Sequence, residues 1–225
     1  MFFDVDFTLI YPGPRFQASV YQASCEAYGV TIDVSQFDVA VAEAAPLLES
    51  GDHAYDHQVF HTYTRRIIER MGGTGPAVEV VARTIFLEWG DHRHFFLYPD
   101  VRDALRTLHA MGIRIGLISN THRCLTSFDS HFALDGLISA TVSSFVHGFM
   151  KPHPSIFRAG LELMQVDARE AVMVGDSPRH DVAGAKAAGM RAILLSRVTP
   201  PPAVDEDVTV IRSLGELPGI LGNYF

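Results

Sequence analysis

The hydrophobic positions change their rhythm along the chain. A short apolar run, Met1-Phe2-Phe3, leads into Asp4-Val5-Asp6-Phe7-Thr8-Leu9 and predicts a strand that ends in two carboxylates. Tyr11-Pro12-Gly13-Pro14 then breaks the pattern with two prolines and a glycine. From Arg15 to about Phe95 the apolar residues fall at helical spacing. Ala18, Tyr21, Cys25 and Tyr28 mark a first helix before Gly29, and a second is expected from Ser35 to Ala45, where Pro46 should end or kink it. Val59, Tyr63, Ile67 and Ile68 mark a third, from about Asp52 to Met71, and Val81, Ile85 and Trp89 a fourth that starts at Pro76. Four such helices predict a small bundle.

At Leu97-Tyr98-Pro99 the pattern turns to alternating strands and helices. Helices are expected at 100–111, 122–132, 154–164 and 182–188. Strands are expected at 113–118, 137–142, 171–174, 192–195 and 208–211. This alternation predicts an α/β fold, a parallel, Rossmann-like sheet covered by helices on both faces. Residues 1–12 and 96–225 would form one α/β core, and 13–95 a helical domain inserted after its first strand.

Composition narrows the classes. The chain has 225 residues, 48% of them hydrophobic, which is ample for a buried core. A net charge of −8 argues against a nucleic-acid surface, which would show a basic patch. No apolar stretch approaches the roughly 20 residues of a membrane span, and no charged and apolar leader precedes the first strand. Cys25 and Cys124 are far apart and form no disulfide framework, so a reducing cytoplasm is expected. The first strand is so short that a longer native N-terminus is expected.

In an open parallel sheet, ligands bind beyond the carboxyl ends of the strands. Asp4, Asp6 and Thr8 follow the first expected strand, Ser119 and Asn120 the second, and Lys151-Pro152 lies in the loop after the third. Gly175, Asp176 and Asp181 follow the fourth. Asp4 and Asp6, spaced i and i+2, point the same way on an extended strand and repel, unless a cation lies between them or one attacks while the other moves a proton. Each residue also has a bland reading. Lys151 could be a surface lysine, Ser119 a turn residue, and Asp176 and Asp181 caps of the following helix.

Taken in order, Asp-x-Asp-x-Thr, a serine after the second strand, Lys-Pro, and Gly-Asp-x-x-x-x-Asp resemble the haloacid dehalogenase superfamily across the whole α/β core. The inserted helices resemble its α-helical cap, and the resemblance implies a first strand central in the sheet. It implies Asp4 as a nucleophile that forms an aspartyl-phosphate and Asp6 as the acid and then base. Mg²⁺ would be held by Asp4, the Asp6 backbone carbonyl and Asp176. Ser119, the Asn120 backbone N–H and Lys151 would bind phosphate, Asp181 would orient Lys151 or metal-bound water, and Thr8 would fix the Asp6 loop. Asp6 separates this chain from the superfamily's 2-haloacid dehalogenases, which lack an acid there. A phosphatase acting on a small phosphorylated metabolite is therefore expected, with a phosphosugar mutase as the alternative and a dehalogenase or a non-catalytic binding protein less favoured. Phe7 departs from the common glycine. His53, His57 and His61 share one expected helix face and could ligate a metal or face the substrate. A monomer or homodimer, with no nucleic-acid or membrane partner, is expected.

Overall fold

The computed structural model describes residues 1–49 and 53–221, and the chain divides into two compact units, residues 12–96 and residues 1–11 with 97–221. The smaller unit contains four helices: α1 (Ala18–Ala27), α2 (Phe37–Ala44), α3 (His57–Arg70) and α4 (Ala77–Glu88). Their inward faces meet in one apolar cluster around Tyr21, Cys25, Ile67, Ile68, Val81 and Ile85. Phe16, Trp89 and Phe95 stack as a second cluster, with Trp89 centred 4.2 Å from Phe16 and 5.5 Å from Phe95.

The start of the third helix differs from the sequence reading. The expected start of the third helix, Asp52, lies outside the described residues. The helix begins at His57 because the Asp56 carboxylate caps it, accepting the Gln58 N–H at 2.8 Å. His53 therefore lies outside α3, with φ +65°, and only His57 and His61 belong to the helix. The three histidines do not form one helical face. The α-helix α2 ends at Ala44, next to the stop expected at Pro46. A tighter 3-10 segment, Ala45–Glu49, carries on from α2, and the proline sits in its first turn, where its missing N–H costs nothing.

The larger unit is built on a six-stranded parallel sheet. Its strands are β1 (Phe2–Phe3), β2 (Ile115–Ser119), β3 (Ile138–Ser143), β4 (Val172–Gly175), β5 (Arg191–Leu195) and β6 (Thr209–Ile211), in the order β3-β2-β1-β4-β5-β6. Only two residues long, β1 is nonetheless central: Phe2 and Phe3 pair with Gly116 and Leu117 on one side and Met173 and Val174 on the other. Helices on both faces explain why β2 and β4 read as unbroken apolar runs, buried at every position. Phe2, Ile118, Ile156, Phe157, Met173 and Leu194 lie at the heart of the core on one face. The strand order reverses at β1, with β2 and β3 on one side and β4 to β6 on the other, so residues just beyond β1 occupy the topological switch point.

Further helices of this unit are α5 (Val101–Ala110), α6 (Phe128–His131), α7 (Ser144–His147), α8 (Pro154–Met164), α9 (Gly184–Ala187) and α10 (Leu217–Ile220). The helix expected over 122–132 shrinks to a 3-10 turn, Leu125–Ser127, and α6. The one expected over 182–188 begins earlier, as a wide π-helical turn over Pro178–Ala183. Among the described residues, no helix is long and apolar enough to cross a membrane.

Candidate active site

The loops after β1, β2, β3 and β4 bring Asp4, Asp6, Ser119, Lys151, Asp176 and Asp181 to one edge of the sheet. Lys151 is the hub. It is 2% exposed, and its Nζ donates to Asp4 Oδ1 at 2.5 Å and to Asp181 Oδ1 at 2.6 Å. Burial disfavours its charge, but Asp181 and Asp4 together outweigh that and hold its pKa above the ordinary lysine value. The backbone of Lys151 is pinned from β2: its N–H donates to Asn120 Oδ1 at 2.6 Å, and its carbonyl accepts from Asn120 Nδ2 at 2.9 Å. The side chain of Asn120 thus serves the lysine loop.

Asp181 reaches Lys151 because the π-helical turn swings it back beneath β4. Its Oδ2 accepts the Ser177 N–H at 3.0 Å, so both of its oxygens are bonded. The close approach explains Gly175, whose Cβ, if it had one, would lie 2.2 Å from Asp181 Cγ. Gly175→Ala is therefore expected to push Asp181 off Lys151 and to cost stability, by about 1–3 kcal/mol for overpacking. Urea titration of the variant checks this; an unchanged midpoint would show that the turn gives way freely.

Asp4 is 7% exposed, and its backbone N–H donates to Val174 O at 2.9 Å, which fixes it at the end of β1. Burial raises its pKa well above the usual carboxylate range; Lys151 opposes this, and Asp181 and Asp176 add to it. Asp176 is pushed up to about 6, first by burial and then by Asp181, against the pull of Lys151 and a 3.1 Å hydrogen bond from Thr8 Oγ1. Thr8 thus bonds to Asp176 rather than to the Asp6 side chain. Ligand oxygens of Asp4, Asp176 and Asp181 lie within 4.8 Å of one another. Three carboxylates around one ammonium leave an excess of negative charge, and an oxygen-seeking divalent cation fits that donor set. Since Asp181 is bonded at both oxygens, Asp4 and Asp176 are the better-placed side chains to hold one.

Ser119 ends β2 with its hydroxyl fully buried and without a hydrogen-bond partner. Such a group costs stability unless a ligand completes it. An anionic ligand oxygen there would accept a hydrogen bond from it.

Asp6 stands apart from the Lys151 cluster. Its Oδ2 is paired with the guanidinium of Arg123, and its Oδ1 is buried without a partner. Phe7, which follows, adopts φ +61°, its N–H bonded to Ile10 O at 2.7 Å. That left-handed backbone is where a glycine sits without strain. Phe7→Gly is expected to be neutral or stabilising, by up to about 1 kcal/mol, in a thermal melt. A marked loss would mean that the ring, 46% exposed, is held by packing.

Two residues of this region were not visible in the sequence. Arg123 is buried four positions after Ser119, where an arginine normally lies on the surface. Arg197 donates to Thr8 O at 2.9 Å and to Asp100 at 3.0 and 3.2 Å, and lies 3.7 Å over the Tyr98 ring. It ties the β1 loop to the start of α5. Neither has a neighbouring sequence signal, because each partner is far away along the chain.

Residues 1–189 match the family model for haloacid dehalogenase-like hydrolases. A Xenopus laevis haloacid dehalogenase-like hydrolase domain-containing protein 3 is 31% identical over 124 residues, 55% of this chain and 51% of that protein. A phosphoserine phosphatase from Thermus thermophilus is 33% identical over 155 residues, 65% of this chain and 59% of that protein. The chain thus spans little more than half the length of these two relatives. Among solved structures, a 2-haloacid dehalogenase from Pseudomonas syringae superposes with a TM-score of 0.67 at 25% identity, covering 100% of this chain and 98% of that one. With its four loop motifs at the edge of a parallel sheet, the chain belongs to the haloacid dehalogenase-like hydrolases.

Proposed function

We propose that this hydrolase is a Mg²⁺-dependent phosphatase for a small phosphorylated metabolite and works through an aspartyl-phosphate on Asp4. The observation that carries this reading is the division between the two carboxylates. Asp4 sits in a buried cluster with Lys151, while Asp6 is held outside that cluster by a different cation, Arg123. Two carboxylates in different environments suit two roles, nucleophile and proton carrier. The chain's similarity to a phosphoserine phosphatase supports the substrate class.

In the first step an Asp4 oxygen attacks phosphorus, an O–P bond forms, and the bond to the leaving alcohol oxygen breaks as Asp6 gives that oxygen a proton. In the second step Asp6 takes a proton from water, the hydroxide attacks phosphorus, and the Asp4 O–P bond breaks, releasing inorganic phosphate. Ser119 donates to a phosphate oxygen, and Lys151 holds Asp4 in place and offsets charge in the site. Asp4, Asp176 and the Asp6 carbonyl would hold Mg²⁺, which would supply charge neutralisation for the attack of a carboxylate on a phosphate. By the same family resemblance, the helical unit 12–96 is the cap that selects the substrate. Free thiols at Cys25 and Cys124 suit a reducing cytoplasm.

A dehalogenase has no use for an acid at position 6, because halide leaves unprotonated. The test is release of inorganic phosphate from 4-nitrophenyl phosphate and a panel of metabolite phosphates, with Mg²⁺ and with chelator. Metal-dependent release is expected. Phosphate transfer between sugar positions without release would point to a mutase, and halide release from 2-haloacids to a dehalogenase.

The cation should also compete with protons. Because Asp176 is raised to about 6 in the metal-free protein, its carboxylate is increasingly protonated below that pH. The apparent Mg²⁺ affinity is expected to fall as pH drops through about 6, and calorimetric titration at pH 5.5 and 7.5 checks this. Equal affinity at both would exclude Asp176 from the metal site.

A further inference from the structure

The placement of Arg123 goes beyond the family motifs. Among the described residues it is the largest side chain buried so completely, at 2% exposure. The loop that carries it is fastened by buried hydroxyls. The Arg123 N–H donates to Thr121 Oγ1 at 3.1 Å, and the Thr121 N–H donates to Ser144 Oγ at 3.0 Å. Ser144 Oγ in turn donates to Thr121 O at 3.2 Å. This ties the end of β2 to the start of α7 and presents the guanidinium to Asp6. Burying a guanidinium is costly, and an ion pair made only for stability is rarely worth it.

The asymmetry at Asp6 suggests what the pair accomplishes. Arg123 occupies Oδ2, and Oδ1 is left without a partner. We infer that Arg123 is a positioning residue for proton transfer: by holding Oδ2 it aims Oδ1 as the oxygen that carries the proton. This rests on the reading of Asp6 as acid and base. A proton on Oδ1 leaves Oδ2 lone pairs for the guanidinium, which stays charged throughout. In the first step the Oδ1 proton passes to the leaving oxygen as its bond to phosphorus breaks and the Asp4 O–P bond forms. In the second step Oδ1 takes a proton from the attacking water. In this role Arg123 acts through Asp6 and needs no contact with phosphorus or the leaving group.

The prediction is an effect that depends on the leaving group. Aryl phosphates from 2,4-dinitrophenyl to phenyl, extended to a simple alkyl phosphate, span leaving groups from those that depart unprotonated to those that require a proton. Arg123→Gln is expected to lower kcat/KM by on the order of 100-fold for phenyl and alkyl phosphates and by only a few-fold for 2,4-dinitrophenyl phosphate. Its KM should change little. Arg123→Lys, which keeps a buried cation, should recover part of the loss; if Arg123→Gln does not fold, the lysine variant should show the same dependence in weaker form. Asp6→Asn should show a leaving-group dependence at least as steep, and the Asp6→Asn/Arg123→Gln double variant should be no worse than Asp6→Asn alone. Equal losses across the series for the Arg123 variants, or losses that multiply in the double variant, would overturn the role of Arg123. A flat profile for Asp6→Asn itself would instead overturn the acid reading of Asp6, and this inference with it.

Discussion

Asp4→Asn is expected to lower turnover of any phosphate ester by on the order of 10³-fold or more, because the amide cannot act as the nucleophile. The fold should survive. Asp4 has a pKa raised mainly by burial, with Lys151 opposing the rise, so burying its ionised form opposes folding. For a carboxyl whose folded pKa lies above its unfolded value, stability declines as pH rises between those two values. Replacing it with a neutral isostere removes that penalty. The change also takes one of two carboxylates from Lys151, which keeps Asp181, so Asp4→Asn is expected to stay folded at pH 7 with a melting temperature near that of the wild type. Loss of both activity and folding would mean that Asp4 is chiefly structural.

The opposite signature is expected from Lys151→Met. Lys151 has a folded pKa above its unfolded one, so its stabilisation is complete below the unfolded value, about 10.4, and fades as pH rises past it. Without the ammonium, Asp4 and Asp181 face each other in the interior with no cation between them. Breaking one side of such a buried pairing costs about 3–5 kcal/mol, so the variant should lose most of its margin of stability as well as its activity. The loss should also depend on pH. With Lys151 gone, Asp4 loses the charge that opposes the effect of burial and is driven further towards the protonated state, so the variant should be nearer to wild type at pH 5 than at pH 7.5. Urea titrations at the two pH values decide this, and a deficit that does not grow with pH would place the Lys151 contacts outside the energetics of folding.

The fold was legible where each local pattern is also a global one. The runs at Ile113–Ile118 and Ala171–Val174 read as buried strands because both faces of a parallel sheet are covered. The motif order then placed Asp4, Ser119, Lys151 and Asp176 at one edge. What could not be read were contacts made across the chain. Asp6 and Arg123 are 117 residues apart, and nothing in Ser119-Asn120-Thr121-His122-Arg123 says that the arginine turns inward. Thr8 likewise reaches Asp176, 168 residues away. The start of the third helix was misread for a local reason. Asp56 is a better helix start than Asp52 because its side chain accepts the Gln58 N–H, and spacing alone does not choose between two aspartates.

The central claim is that phosphate passes through Asp4. Acid quench of the enzyme during turnover of 4-nitrophenyl phosphate with Mg²⁺, followed by peptide mass analysis, tests it directly. One phosphoryl group is expected on the peptide that carries Asp4, in the wild type and not in Asp4→Asn. Phosphate released at the wild-type rate by Asp4→Asn, with no phosphorylated peptide in either protein, would contradict the account.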